Sequence, residues 1–238
     1  MDNTNAFAAD ALLGLVKIID NKQLNQNEKS MLTNLKGWNC AYNFDDKYAV
    51  LFEIWLSNIK GYTWDELKSY SFCLRPPDDY VLLDLILKDS DNACFDKQGT
   101  LVKEDATEIV YQAFIAAVKE YNDMKNDGDI SWSNYNKVNV MHLTNIGAFS
   151  KMNLPSAGNP NAINAISNTW GPSWRMVVEL GERPNAYGIY LGGQSGNIGS
   201  PYYDSFLNDW SKGNYYQLLY FMNKNEAKQG SKNIWKLM

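Results

Sequence analysis

The sequence predicts an α+β fold, with a mainly helical region followed by an antiparallel sheet segment. Three observations lead there. Up to about residue 121, apolar side chains recur at three- and four-residue spacing, as on a helix face. Beyond about residue 128 they alternate, as on a strand. The 238 residues are 45% hydrophobic and 21% charged, enough apolar material for a core without staples. The change falls at Asn126 to Asp129. The expected division is therefore 1–127, mainly helical, and 128–238, mainly β, folded as one unit.

In the first region Phe7, Ala11, Leu15 and Ile18 mark one helix face, and Met31, Leu35 and Trp38 mark a second. Asn25 with Glu28 three residues later reads as the capping box that opens the second helix. Tyr48, Phe52, Trp55 and Ile59 form a third stripe, expected to stop at Gly61. Thr63-Trp64-Asp65-Glu66 reads as the capping box of another short helix. Pro76-Pro77 breaks the chain before a helix from Tyr80 to Lys88, and a polar loop follows from Ser90 to Gly99. The clearest helix is expected from about Asp105 to Tyr121, with Asp105 and Glu108 at its start and Val110, Phe114, Ala117 and Tyr121 on one face. Asp45-Asp46 and Asp78-Asp79 stand at helix starts, where carboxylates favour the dipole.

In the second region Trp174, Met176, Val178 and Leu180 alternate with Arg175, Val177 and Glu179, and Tyr187, Ile189 and Leu191 repeat the pattern. Gly181 to Asn185, with Pro184, is the turn between them. Asn161 to Ser167 is expected as a third strand and Tyr216 to Met222 as a last one. Pro201 to Lys212 reads as a helix with Phe206 and Trp210 on one face.

Several function classes are disfavoured. Lys plus Arg number 22 and Asp plus Glu 27, a net charge of −5 without basic clusters, so neither nucleic acid nor an anionic membrane is an expected partner. Apolar runs such as Ala11 to Val16 and Ala113 to Val118 fall short of the roughly 20 residues of a membrane span. No secretory leader is read at the start, where Asp2 and Asp10 interrupt the pattern. Cys40, Cys73 and Cys94 are expected as buried thiols rather than a disulfide framework or a zinc site. With His142 as the single histidine, a histidine-based metal centre is excluded, and a structural role at a strand end is expected for it. Asp123, Asp127 and Gly128 hint at a calcium loop, but Lys125 and Asn134 occupy liganding positions.

Gly193-Gln194-Ser195-Gly196 approaches a nucleophile elbow. Asn197 stands where that turn needs glycine, and His142 precedes the serine instead of following it. The stretch Leu191 to Ser200 offers backbone N–H groups to a phosphate but lacks a P-loop ending, and close backbone packing explains its glycines as well. The residues by themselves yield no catalytic set.

Read with its flanks, that stretch carries a resemblance. Gly171-Pro172-Ser173-Trp174-Arg175-Met176-Val177-Val178, then Leu191 to Asn197, then Ser200-Pro201-Tyr202-Tyr203-Asp204, then Trp210 and Gly213, resembles the closing signature of the penicillin acylase (penicillin amidase) family. Asn92-Ala93-Cys94-Phe95-Asp96 with Lys103-Glu104 is similar to the family's loop before its long helix, where Trp is commoner than Cys94. Ala49-Val50-Leu51-Phe52-Glu53-Ile54-Trp55 is similar to its helical signature.

The resemblance implies membership of a four-layer αββα N-terminal-nucleophile hydrolase that cleaves amides such as β-lactam side chains or acyl-homoserine lactones. In that family a precursor is cut into α and β chains. The new N-terminal serine attacks the amide, its own α-amino group acts as base, and backbone N–H groups with an asparagine hold the oxyanion. No residue here carries those roles. The chain begins Met1-Asp2, and the Gly-Ser-Asn motif followed closely by Trp does not occur. Ser133-Asn134, its nearest imitation, lies too close to the closing signature.

This chain is therefore expected to correspond to the last half of the β chain, with nucleophile, oxyanion asparagine and calcium ligands upstream. No catalytic, cofactor or metal residue is assigned within it, and inactivity alone is expected. The implied partners are the α chain with the N-terminal part of the β chain, or a second copy. The resemblance suggests a periplasmic or extracellular location. The alternative is a freestanding acyl- or peptide-binding module using exposed aromatics and the Gly-rich loop.

Overall fold

The computed structural model describes residues 2–70, 73–128 and 130–230. Helix α1 spans Ala6–Ile19, with Asn5 accepting from the Ala8 N–H at its start. It buries Phe7, Ala11, Leu15 and Ile19. Helix α2, Gln26–Lys36, opens on the expected reciprocal box: Asn25 accepts from the Glu28 N–H at 2.9 Å, and Glu28 from the Asn25 N–H at 2.7 Å.

Helix α3, Tyr48–Thr63, runs through Gly61 instead of stopping there. Thr63 is fully buried, and packing of the last turn outweighs the roughly 1 kcal/mol that an interior glycine costs. Thr63 consequently ends one helix rather than capping the next, and Asp65–Tyr70 forms a 3-10 stretch. Helix α4, Asp79–Lys88, is capped by Asp78. Helix α5, Ala106–Asp127, is capped by Asp105 and continues past Tyr121. Its last turns are polar, so they leave no apolar period to read.

Helices α3 and α5 pack centrally. Trp55 Nε1 donates to the Val110 carbonyl at 3.1 Å, and the Trp55 and Phe114 rings meet edge-on at 5.1 Å. One apolar core runs from Phe7 to Trp132.

The second region holds a short α6, Trp132–Tyr135, and two antiparallel sheets. Strands β1, Lys137–Val140, and β2, Lys151–Pro155, form a hairpin that alternation did not reveal. Strands β3, Trp174–Glu179, β4, Asn185–Tyr190, and β5, Tyr216–Leu218, lie in the order β3-β4-β5. Trp174 pairs with Tyr190 and Glu179 with Asn185. Helix α7 is Leu207–Lys212 and α8 is Lys224–Gly230.

Three expectations change. Asn161 to Ser167 is not a strand but a run of turns whose polar groups bond to the N-terminal segment, while Ile166 enters a second core with Val138, Ile189 and Trp210. Pro201 to Phe206 forms turns, and only the remainder of the expected helix is helical. The last strand ends at Leu218 rather than Met222. Among the described residues, no helix is long and apolar enough to cross a membrane.

Candidate functional site

The Gly-rich stretch after β4 folds back on itself. Ser195 N–H donates to the Tyr202 carbonyl, Asn197 N–H to Ser195 Oγ, and Gly199 N–H to Asn197 Oδ1. These donors are turned inward, away from any anion. Gly193 is needed for close approach: a β-carbon there would lie 2.1 Å from the Tyr202 carbonyl oxygen. Asp204, a few residues on, pairs with Lys151 at 2.5 Å and ties this loop to β2.

His142 lies just past β1, not beside Ser195. Its Nδ1 stands 3.0 Å from Thr144 Oγ1, and its ring meets Phe149 edge-on at 5.3 Å. No triad assembles from these residues. Cys40 is buried, Cys94 half-buried and Cys73 exposed, so the expectation of three buried thiols holds for Cys40 alone. Among the described residues, no three His, Cys, Asp or Glu side chains cluster as a metal would require. The calcium site that the resemblance implies does not fit them.

The other signature residues are occupied with packing. Arg175 on β3 is 2% exposed and stacks on Trp210 of α7, whose indole N–H donates to the Pro172 carbonyl at 2.9 Å. Phe95 is fully buried, and Glu104 accepts from the Lys97 N–H and the Thr100 hydroxyl, fastening the loop before α5.

Sequence reasoning missed a polar cluster centred on Glu53. Its Oε1 accepts from Tyr42 Oη at 2.7 Å and from Asn159 Nδ2 at 3.0 Å. Burial pushes the Glu53 carboxyl above the usual carboxylate range, and burial beside that carboxyl pushes the Tyr42 phenol well up. The signal available was a lone carboxylate inside the apolar run Ala49 to Trp55. Its partner Asn159, 106 positions away, left no local trace.

Among the surfaces of the described residues, two are candidates for binding. A cleft of about 340 Å³ is bordered by Val50, Met124, Gly128, Ile130, Ser131, Asn134 and Tyr135. Among the described residues, its lining offers a serine and a phenol but no carboxylate or imidazole for proton transfer at neutral pH. The outer edge of β3 is unpaired among the described residues, and Trp174, Met176, Val178 and Leu180 are exposed along it. This edge is the candidate site: an interaction surface rather than a reaction centre.

The fold defines the class first. The thermostable penicillin G acylase of Alcaligenes faecalis aligns with 100% of this chain and 47% of its own, at a TM-score of 0.55 and 13% sequence identity, so the two share a fold. The sequence model of the penicillin amidase family matches residues 1–227, and the chain belongs to that family. Acyl-homoserine lactone acylase QuiP of Pseudomonas fluorescens is 27% identical over 144 residues, which are 57% of this chain and 18% of the relative. The QuiP protein of Pseudomonas syringae pathovar tomato is 27% identical over 148 residues, again 18% of its length. The matched part of the chain thus spans less than a fifth of these curated relatives.

Proposed function

We propose that this chain is the C-terminal, structural region of an acylase that hydrolyses the amide bond of an acylated amine, such as an acyl-homoserine lactone or a β-lactam side chain. The observation that carries this reading is the engagement of the closing signature in packing, in a chain matched to the family over residues 1–227. Arg175 stacks on Trp210, Gly193 lies against the Tyr202 backbone and Asp204 pairs with Lys151, so these signature residues serve packing.

In this reading the upstream segment brings an N-terminal hydroxyl that adds to the amide carbonyl while its own α-amine takes the proton. Preset N–H donors hold the oxyanion until the amine leaves. This chain holds that segment in place, and its β3 edge is where the segment docks. The same reading puts the whole enzyme in the periplasm or outside the cell, which fractionation of the producing cells checks.

The 340 Å³ cleft favours a second reading, a freestanding module that binds an acyl or peptide ligand, since its volume lies within the range of small-molecule sites. Complementation separates the two. The chain alone is expected to show no amide hydrolysis, and turnover is expected to appear when the nucleophile-bearing half is added. Turnover by the chain alone that is lost in Ser195→Ala would overturn the first reading. Saturable binding of an acyl amide by the chain alone, with no gain from the upstream half, would favour the second.

A further inference from the structure

The two apolar cores share no residue: one is drawn from Phe7 to Trp132, the other from Val138, Ile166, Ile189 and Trp210. Between them runs a polar seam. The N-terminal segment Asp2 to Asn5 runs along it up to the start of α1. On one side Asn5 N–H donates to the Cys40 carbonyl at 2.8 Å, and Tyr42 N–H to the Asn3 carbonyl at 2.9 Å. On the other side Ala6 N–H donates to the Asn161 carbonyl at 3.1 Å, and Asn164 N–H to the Asp2 carbonyl at 2.9 Å.

Asn159 joins the two sides. Its Oδ1 accepts from Asn5 Nδ2 at 3.0 Å, and its Nδ2 donates to Glu53 Oε1 at 3.0 Å. Gly158 fixes the loop from both ends: its N–H donates to the Tyr42 carbonyl at 2.8 Å, and its carbonyl accepts from Trp132 Nε1 at 2.8 Å. Asn5 and Asn159 are 1% and 4% exposed, so water cannot replace a lost partner while the seam stays closed.

We propose that this seam is a latch, centred on Asn159, that couples the helical core and the sheet core into one cooperative unit and opens all at once. An apolar contact weakens gradually as it slides. A buried polar network does not, because each broken bond strands a donor or acceptor and a half-satisfied network is worse than none. The latch is a property of this chain and holds whether or not the acylase reading does.

Hydrogen exchange of the full chain across a urea series tests it. In the unsubstituted chain, amides of β4 and of α5 are expected to lose protection at the same urea concentration. In Asn159→Ala, protection of β4 is expected to fall by about tenfold or more, the size of one stranded buried donor, with α5 unchanged. Glu53→Gln keeps the accepting oxygen, so β4 and α5 are expected to lose protection at one common urea concentration in it, as in the unsubstituted chain. Should Asn159→Ala fail to fold, Tyr42→Phe removes one donor while keeping the ring, and the same split at smaller size is expected. Protection lost in two steps without substitution, or lost equally in both halves of the variants, overturns the proposal.

Discussion

Arg175 Nη1 donates to the Trp210 carbonyl at 2.5 Å while the guanidinium carbon sits 4.8 Å above the Trp210 ring. One side chain thereby satisfies a carbonyl in the last turn of α7 and covers its indole face. The cation is held by the π face and that carbonyl rather than by a carboxylate, and burial pulls its pKa below the usual arginine value.

Lysine cannot reproduce that geometry, because its ammonium is compact and strongly hydrated. Arg175→Lys is expected to cost about 1–2 kcal/mol through lost stacking. Arg175→Ala should cost about 3 kcal/mol, adding a cavity beside the Trp210 ring. Urea unfolding measures both. Values within about 0.5 kcal/mol of the parent, the range of inconsequential surface changes, would remove Arg175 from the account of the fold.

Gly193 and Gly196 sit three positions apart and should respond in opposite ways. A β-carbon at Gly193 meets the Tyr202 and Tyr203 backbone, which cannot swing aside, whereas one at Gly196 meets nothing within 4 Å. Gly193→Ala is expected to destabilise by about 1–3 kcal/mol and Gly196→Ala to stay within about 0.5 kcal/mol of the parent. Equal melting temperatures for the two variants would show that the loop is not packed as described.

Glu53 gives a pH signature. Its folded-state pKa lies above that of an exposed glutamate, near 4.3 in the unfolded chain. The folded state therefore binds the proton more tightly. The stability this confers is full below the unfolded pKa and is lost as pH rises through the folded one. Glu53→Gln removes the titration and keeps the acceptor, so its stability relative to the parent should grow with pH across that window and then level off. Urea midpoints for both proteins from pH 4 to 8 check the sign, and parallel curves would mean that Glu53 is solvated.

The helical region was legible because its signals are local. Asn25 and Glu28 cap within one turn, and the stripe Tyr48, Phe52, Trp55 and Ile59 repeats at the helix period. The sheet region was most legible where both strands alternate, as in β3 and β4, and the apolar run from Tyr216 also marked the start of β5. Strand β1, Lys-Val-Asn-Val, is too short and too polar to stand out. Asn161 to Ser167 misled because its isoleucines are β-branched, although Ile163 and Ile166 stand three apart rather than at a strand's period of two, and Asn161 and Asn164 serve long-range hydrogen bonds. The Gly-rich stretch left phosphate binding and close packing both open in the sequence, since spacing does not reveal where an N–H points, and the Gly193 approach to Tyr202 favours packing. The seam at Asn159 was invisible because its partners lie on distant segments.

The β3 edge gives the last prediction. Trp174, Met176 and Val178 are 45%, 51% and 38% exposed, Leu180 is 85% exposed, and Val177 on the opposite face is 49% exposed. Natural edge strands are usually guarded by charge, proline or a bulge, and here Glu179 is the one exposed charge on the strand. A bare apolar row beside unpaired N–H and C=O groups recruits another strand, and a net charge of −5 opposes this only weakly. The chain alone is therefore expected to self-associate, its light-scattering mass rising above 27.1 kDa with concentration. Met176→Lys places a charge in the middle of the exposed row without touching either core, and should lower that association by at least about tenfold, the effect of roughly 1.4 kcal/mol. Adding the nucleophile-bearing half should replace self-association by a one-to-one complex and raise the melting temperature. A steady mass of 27.1 kDa at every concentration, with no thermal shift on adding that half, would show that the edge is not an interface.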